Sequence, residues 1–425
     1  MQMVDQYGNE KLGISFLPWL VCFSASLFFF YEFIQGNMFA SIADEIMRDF
    51  QIEADKMAYL SSIYYVSNVI FLFIAGIVLD RYSTKKTMLL AMLLCVLSTF
   101  ILAQAQSFYL ALFCRFLTGI GSAFCFLGPI RLASRWFPPK QMALVAGVIV
   151  TIAMSGGMLA QYPLTLLVAQ VGWRDALVQI GWLGALMLVI MYFGIIEKNL
   201  KSPERSLPKV NFSEIVKKTY LNSQILRAAI YTSLMNMAIA VYGAMMGSLY
   251  LVQKMGVSKE EAAVVNTMLF LGAIIGGPLI GWCSDKLGLR VLPMKIGALA
   301  SLVTLLAVLF IPVSLPMMKV LFFLLGFFTA SQIISYALVS ESSSFVMTAT
   351  AVSVVSILTQ GGYILYQNLF SFLLTKHGEM RIINEVPTYS LGDYQFAALI
   401  FPVGLIIAFL VLFGLKETHC RHTEG

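Results

Sequence analysis

Two oppositely charged residues lie inside long apolar segments, where an ionisable side chain is expensive. Glu32 is the one residue among 22 acids that falls well inside such a segment, and Arg115 falls inside another. A charge in hydrocarbon costs about 2.5 kcal/mol or more, so each needs a partner or a water-filled cavity. Glu32 and Arg115 are therefore the first candidates for proton or substrate chemistry in this chain.

A second group of charges follows two apolar segments at equivalent positions. The sequences GIVLDRYSTKK and GWCSDKLGLR align when the chain is shifted by 205 residues, which pairs Asp80 with Asp285. The same shift pairs Gly121 with Gly326, so the chain is predicted to contain two structural repeats. Aspartates at helix ends can pair with loop cations or cap a helix, and such contacts can break and re-form. The charged residues near these helix ends that could form such contacts are Asp80, Arg81, Lys85, Arg131, Asp285, Lys286 and Arg290. The alternative is a charge cluster that only sets the membrane orientation.

The elements that position these residues are predicted to be membrane spans. Hydrophobic residues make up 59% of the 425 residues and charged residues only 12%. A typical soluble domain is about 25% charged, so the bilayer must be the main solvent for these side chains. Apolar runs of spanning length occur at 15–42, 57–79, 86–105, 108–135, 141–170, 173–195, 226–253, 260–282, 291–313, 317–339, 347–374 and 393–415.

The charge distribution predicts both the orientation and the organisation of the chain. Most of the 28 Lys and Arg residues fall on the side that carries both termini, which the positive-inside rule assigns to the cytoplasm. We predict a first bundle at 1–195, a basic cytoplasmic linker at 196–225 and a second bundle with a short tail at 226–425. A surface helix is expected in the linker segment NFSEIVKKTYLN.

Composition also excludes several kinds of site. The six cysteines form no CxxC pair, so neither a disulfide framework nor a zinc site is predicted. The net charge of +6 is spread over loops instead of clustering with aromatic residues, which argues against a nucleic-acid partner. The chain contains no HExxH, no Gly-x-Ser-x-Gly and no paired intramembrane carboxylates. We therefore predict neither an enzyme nor a cofactor or metal site.

These two charged sequences resemble the cytoplasmic loop signature of the major facilitator superfamily, which implies that the seven charged residues near them form a cytoplasmic gate. CRFLTGIGSAFCFLGPIRLASRWFPPKQMALVAG is similar to the fourth and fifth helices of that family, through the pattern of Arg115, Gly119 and Gly121. Ser83 stands where the family usually has glycine, so the first copy of the signature matches less well than the second. The resemblance covers the whole chain. It implies an all-α membrane protein with twelve transmembrane helices in two pseudo-symmetric six-helix bundles.

The resemblance also implies where the intramembrane charges lie. In this superfamily helices one, four, seven and ten line a central cavity, so Glu32 and Arg115 are expected to face each other. Our hypothesis is that Glu32 carries the coupling proton, because desolvation favours its neutral form and Arg115 favours its charged form. The alternative is a static ion pair that holds helices one and four together.

Polar and aromatic side chains on the cavity-lining helices and on helix eleven are the predicted substrate contacts. An amide that faced lipid would lack hydrogen-bond partners, so these side chains are expected to point inward. They are Tyr31, Gln35, Asn236, Tyr242, Gln332, Tyr336, Gln360, Tyr363, Gln367 and Asn368. Hydrogen bonding between helices is the alternative role for each of them.

Three short segments, FYEFIQGNMFASI, EVPTYSLGDYQFA and LKETHC, are similar to the phagosomal nutrient transporters of intracellular bacteria. That likeness implies import of amino acids or, as in some members, of nucleosides. Together with the superfamily resemblance and Glu32, it leads us to expect a monomeric transporter of the bacterial inner membrane. It would move a small polar metabolite, an amino acid foremost, by proton-coupled alternating access, with that solute, protons and the lipid bilayer as its partners. A drug or metabolite efflux pump, a nucleoside porter and an organic-anion porter are the alternatives.

Overall fold

Twelve helical spans make up the protein, which a computed structural model describes over residues 16–137, 142–197, 222–342, 348–377, 381–383 and 386–421. The first six are α1 (Phe16–Asn37, continued by Phe39–Phe50), α2 (Ala54–Arg81), α3 (Thr84–Ala103), α4 (Phe108–Ser122 and Leu127–Trp136), α5 (Met142–Leu159 and the first part of Tyr162–Gly194) and α6 (the remainder of Tyr162–Gly194). The other six are α7 (Ser223–Met255), α8 (Lys259–Leu287), α9 (Val291–Phe310), α10 (Leu315–Glu341), α11 (Thr348–His377) and α12 (Leu391–Gly414). The predicted all-α membrane fold of twelve helices is confirmed. Residues 198–221, which hold nearly all of the predicted linker, lie outside the described part.

Local sequence signals fix the ends of these helices. Gly172 separates α5 from α6 with φ at 78°, a conformation that favours glycine. The Ser258 side chain and Glu261 form a capping box at the start of α8, and Gly288 ends the same helix in the left-handed conformation. The predicted span limits therefore differ from the observed ones by only a few residues, except that α1 continues to Phe50.

The outer surface of the bundle is apolar. Leu90, Trp182 and Phe193 are large side chains with 67%, 66% and 74% of their surface exposed. No water-soluble protein leaves this much apolar area uncovered, and in a bilayer these side chains contact lipid. The polar side chains that matter for function must then be sought inside the bundle.

Helix α7 contains a π-helical segment at Ile239–Met246. A π-helix is rare, and its backbone carbonyl groups accept hydrogen bonds less regularly than those of an α-helix. Side-chain amides from three other helices supply donors to it: Gln161 (α5) to the Gly243 carbonyl at 2.8 Å, Asn266 (α8) to that of Tyr242 at 3.0 Å, and Gln367 (α11) to that of Ala240 at 2.8 Å. The irregular segment is thus held from both halves, since α5 belongs to the first half and α8 and α11 to the second.

The two halves contact each other on the side opposite the chain ends, the predicted outer side. The Asn368 amide (α11) donates to the Ser62 hydroxyl (α2) at 3.0 Å. The rings of Tyr65 (α2) and Tyr363 (α11) meet edge to face with centroids 4.9 Å apart. On the same side a short antiparallel hairpin, β1 (Arg381–Ile383) and β2 (Val386–Thr388), joins α11 to α12 and packs against the α1 continuation. This hairpin is the one small departure from an all-helical chain within the described residues.

Close packing of α2 against α4 depends on Gly119. A Cβ atom at this position would lie 2.2 Å from the backbone oxygen of Tyr64 and 1.9 Å from the Ser67 hydroxyl oxygen. Backbone cannot move aside without separating the two helices. Gly119 therefore sets the distance at which Tyr64 lies from the α4 side chains.

We predict that Gly119→Ala lowers the melting temperature of the purified protein by many degrees, because the added methyl group overlaps α2 backbone. Gly147→Ala is the matched control, since a Cβ atom at this helical glycine meets nothing within 4 Å. Alanine is favoured over glycine in a helix by about 1 kcal/mol, so the control should melt at the same temperature or higher. Equal melting temperatures for the two variants would contradict the packing role of Gly119.

Candidate functional site

Glu32 and Arg115 are both buried at the interface of α1, α2 and α4. Their side chains are 1% and 0% exposed, so neither contacts lipid. The Tyr64 hydroxyl donates a hydrogen bond to Glu32 Oε2 at 3.1 Å, while the Arg115 guanidinium lies 4.6 Å from the centre of the Tyr64 ring. No hydrogen bond or ion pair joins the two charged groups, although both are within the described residues. Tyr64 thus contacts both groups. The direct contact between Glu32 and Arg115 that the sequence suggested is replaced by this bridging side chain.

Arg115 retains unused hydrogen-bonding capacity. Its guanidinium lies between the rings of Phe39, 4.8 Å away, and Tyr64, an arrangement that stabilises a cation by about 0.5–2 kcal/mol. The Nη1 group donates to the Gln35 backbone carbonyl at 3.0 Å. Among the described residues, the Nε and Nη2 groups have no hydrogen-bond partner. Oε1 of Glu32 also lacks a partner with hydrogen-bond geometry, although the Cys95 thiol of α3 lies beside this carboxyl group. Unpaired charged atoms in a buried site are costly, and they are suited to binding a proton or a charged solute.

Two of the predicted substrate residues point away from this pair. Tyr31 and Gln35 are four residues apart on α1, and both donate to the hydroxyl of Thr99 on α3, at 2.9 and 3.0 Å. Both are fully buried. In this conformation they join α1 to α3, which is the alternative role foreseen for such side chains. Their contact with substrate stays a prediction that would require α1 to move.

Three other predicted substrate residues form one cluster in the second half. Asn236 (α7) and Gln332 (α10) exchange hydrogen bonds through both amide groups, one of them from Gln332 Nε2 to Asn236 Oδ1 at 3.0 Å. The Tyr363 hydroxyl (α11) donates to the same Asn236 oxygen at 3.4 Å. Gln332 and Tyr363 are partly exposed, and their contact with a solute stays a prediction.

The remaining predicted contacts divide into two groups. Tyr336 and Gln360 are partly exposed on α10 and α11, and their contact with a solute stays a prediction. Tyr242 is fully buried and stacks on Tyr250 at 5.0 Å, Gln367 donates to the α7 backbone, and Asn368 joins α11 to α2. These last three side chains hold helices together in the described conformation.

Two of the predicted gate residues in the second half contact each other, and their gate role stays a prediction. Arg290 binds Asp285 at 2.6 Å and also binds Glu341 of α10 at 2.7 Å. Lys286 lies over the Trp282 ring at 5.0 Å instead of beside an acid. In the first half, Lys85 lies 5.1 Å from the centre of the Tyr192 ring, and Arg131 is partly exposed near the end of α4. The side chains of Asp80 and Arg81 lie outside the described part of the structure, so their gate role stays a prediction.

Two glutamates that the sequence did not single out occupy equivalent places beside the gate. Glu417, just after α12, accepts hydrogen bonds from the backbone N–H groups of Arg290 and Val291 at 2.6 and 2.8 Å. Glu197, just after α6, accepts from the Ser83 hydroxyl and the Lys85 N–H at 2.5 and 3.2 Å. Each caps the third helix of its half with a negative charge at the positive end of the helix dipole. Partial burial opposes ionisation of Glu197, but these hydrogen bonds outweigh it and hold its pKa below the usual value.

An ionic contact joins the two halves on the predicted outer side. Lys259, at the start of α8, binds Asp44 at 2.6 Å and Glu45 at 3.8 Å, both on the α1 continuation. The other Glu45 oxygen accepts from the Trp173 N–H at 3.0 Å. Burial raises the pKa of Glu45 above its usual value despite the opposing effect of Lys259. This carboxyl group therefore takes up a proton sooner than an exposed glutamate as the outer pH falls.

Comparison with known proteins places this geometry in a family. A family model described as Major Facilitator Superfamily matches residues 21–248 and 228–423. The chain is 24% identical to a "Hexuronate transporter" of Bacillus subtilis (strain 168) over 60% of this chain and 61% of that protein. It is also 24% identical to a "Probable nitrate/nitrite antiporter NarK1" of Thermus thermophilus over 64% of this chain and 62% of that protein. The alignments thus span about three fifths of the length of these relatives.

A solved structure shares the fold over nearly the whole chain. It is a bacterial homologue of the human lysosomal transporter Spinster, in an inward-facing and unoccupied conformation, with a TM-score of 0.74 and 18% identity. The similarity covers 97% of this chain and 100% of that one. The prediction of a transporter in place of an enzyme is confirmed by these relatives. The chain belongs to the Major Facilitator Superfamily.

Proposed function

We propose that this protein is a proton-coupled transporter of small polar metabolites that carry a carboxylate, an amino acid foremost. It would act as a monomer in the bacterial inner membrane with both termini in the cytoplasm. The observation that carries the proposal is the buried Glu32–Tyr64–Arg115 group, in which an acid and a guanidinium each keep unpaired atoms. Such groups are retained in a membrane protein mainly where they serve ion or substrate movement.

The bridging tyrosine supports coupling between the two charged groups. When Glu32 is ionised, it attracts Arg115 and accepts from the Tyr64 hydroxyl; when it is protonated, that attraction disappears. Because Tyr64 contacts both groups, a change at Glu32 alters the surroundings of the Arg115 guanidinium. Proton binding and anion binding are then linked through one side chain, as coupled transport requires.

The asymmetry of the repeats supports a solute with one charged and one neutral polar end. The 205-residue shift places Met237 and Val320 where the first half has Glu32 and Arg115. The second half instead offers the neutral Asn236–Gln332 amide pair. A carboxylate fits the unpaired N–H groups of Arg115, and an amine or hydroxyl group fits the amides.

An organic acid without an amine is the second candidate substrate. It is favoured by the same Arg115 N–H groups and by the hexuronate transporter among the relatives. A nucleoside or a neutral hydrophobic drug carries no negative charge to pair with the guanidinium. The choice among these classes depends on whether binding needs the Arg115 charge.

We infer that the structure is closed on the outer side, so that in this conformation any exchange of solute takes place with the cytoplasm. The contacts of Lys259 with Asp44, of Asn368 with Ser62 and of Gln161 with the α7 backbone all join the halves on the outer side or near the middle of the membrane. Alternating access requires these contacts to break when the outer side opens.

Ligand screening should identify the substrate class. We expect one class among amino acids, organic acids and nucleosides to raise the melting temperature of the purified protein, as a ligand at about 100 times its Kd stabilises by about 2.7 kcal/mol. In Arg115→Gln the response to carboxylate ligands should weaken by about ten- to a hundredfold, because hydrogen bonds to a charged group contribute about 1.5–3 kcal/mol. Arg48→Gln, on the α1 continuation, is the control and should respond like the wild type. A full response in Arg115→Gln would rule out carboxylate binding at this guanidinium.

Glu32→Gln should separate proton coupling from solute binding. In proteoliposomes this variant should lose accumulation driven by a pH gradient but keep counterflow exchange, since an amide mimics the protonated carboxyl group and cannot release a proton. The solute used is the one that the ligand screen identifies. Glu53→Gln, an exposed change at the outer end of α2, should retain both activities. Unchanged accumulation in Glu32→Gln would remove this residue from the coupling mechanism.

Loss of the outer ionic contact should favour the outward-open state. We predict that Lys259→Gln increases the distance between spin labels at Gln106 and Pro312, on the outer loops of the two halves. Because a partly exposed ion pair contributes about 0.2–1 kcal/mol, the open population should rise by up to about fivefold. Acidification of the wild type should act in the same direction by neutralising Glu45.

The control is Lys376→Gln, which removes an outer cation that lies over the Phe372 ring. It should leave the distance between the labels unchanged. The same distance distribution in Lys259→Gln and wild type would show that this contact does not hold the outer side closed.

A further inference from the structure

An apolar groove opens toward lipid between α3 and α6 near their predicted cytoplasmic ends. It has a volume of about 300 Å³, and its walls include Leu90 and Leu93 of α3 and Val189, Tyr192 and Phe193 of α6. The distance from Lys86 to Leu93 along α3 is about 10 Å at the helical rise of about 1.5 Å per residue. One leaflet of the hydrocarbon core is about 15 Å deep, so the groove lies within a single leaflet.

Two lysines stand at the mouth of this groove. Lys86 is followed by Leu90 and Leu93 at the spacing of one helix face, so it ends the apolar stripe that forms the α3 wall. Lys85 Nζ lies 5.1 Å from the centre of the Tyr192 ring, which forms part of the α6 wall. Among the described residues, neither ammonium group has a carboxylate within 4.0 Å. The nearby Glu197 is committed to the Ser83 hydroxyl and to backbone N–H groups.

The second half of the protein shows that the fold does not require these free cations. The repeat shift places Arg290 and Val291 where the first half has Lys85 and Lys86. Arg290 is only 7% exposed and binds Asp285 and Glu341, and Val291 carries no charge. Two cations that have no carboxylate partner among the described residues, beside a lipid-facing groove, are therefore a feature of the first half alone.

We propose that this groove binds one anionic phospholipid of the cytoplasmic leaflet. An acyl chain lies along the α3 and α6 walls, and the phosphate is held between the Lys85 and Lys86 ammonium groups. A lysine close to an anionic membrane surface increases affinity by about fivefold. A zwitterionic headgroup gains less affinity from the two lysines, because its own ammonium group competes with them for the phosphate.

The test measures lipid binding to the purified full-length protein in detergent by native mass spectrometry. Dioleoyl phosphatidylglycerol and dioleoyl phosphatidylcholine have the same chains and differ in headgroup charge. The wild type should bind phosphatidylglycerol more tightly than phosphatidylcholine. In the double variant Lys85→Gln/Lys86→Gln the affinity for phosphatidylglycerol should fall by about 25-fold, because each lysine contributes about fivefold, and the preference should disappear. Lys295→Gln removes a lysine that lies over the Phe413 ring in the second half, and it should keep the preference. Leu90→Trp should weaken binding of both lipids by filling the groove while both cations remain.

Several results would overturn the proposal. Equal binding of the two lipids by the wild type would show that the site does not distinguish lipids by the charge of their headgroup. A preserved preference in the double variant, or an equal loss in Lys295→Gln, would place the anion elsewhere. If soluble glycerol 3-phosphate competed as well as the intact lipid, the groove would have no part in binding. None of these readouts depends on transport, so the result stands whatever solute the protein carries.

Discussion

A charged side chain in a membrane needs polar partners, and in this protein a single tyrosine serves two opposite charges. Tyr64 donates to Glu32 through its hydroxyl group and stacks against Arg115 through its ring. The position of Tyr64 depends in turn on Gly119, where the absence of a Cβ atom lets α4 approach the α2 backbone. The remaining unpaired atoms of the acid and the guanidinium are what make the site chemically competent.

The two halves share the same arrangement of helices but carry different polar and charged residues. Both use a glutamate after their last helix to cap their third helix, as Glu197 and Glu417 show. The intramembrane charges occur in the first half, whereas neutral amides and the π-helical segment of α7 occur in the second. The residues proposed for proton and solute binding are therefore departures from the repeat. Under this proposal, the repeat explains the two related bundles and its departures explain why the proposed coupling acid occurs in the first half.

The sequence predicted the fold closely because the signals for it are local. Long apolar runs, capping serines and glycines such as Gly288 mark helix limits without reference to tertiary contacts. Glu32 and Arg115 were also recognisable, since a charge in an apolar run is costly wherever the helix points.

Contacts between helices were harder to predict. Tyr31 and Gln35 lie on the same helix as Glu32, but each step of one residue along a helix turns the side chain by about 100°. Tyr31 and Gln35 share a face of α1 that packs on Thr99 of α3, and the sequence did not identify this contact. Tyr64 is one of 18 tyrosines and lies on a helix that was not expected to line the cavity. Its role, like that of Glu417, depends on a partner far away in the chain.

The most direct test of the account is the number of protons exchanged when the solute binds. Isothermal titration in buffers of different ionisation enthalpy measures this number for the purified protein with the solute that the ligand screen identifies. We expect solute binding at Arg115 to change the protonation of Glu32, so the wild type should exchange a fraction of a proton that Glu32→Gln does not. An identical proton number in the two proteins would contradict the linkage through Tyr64.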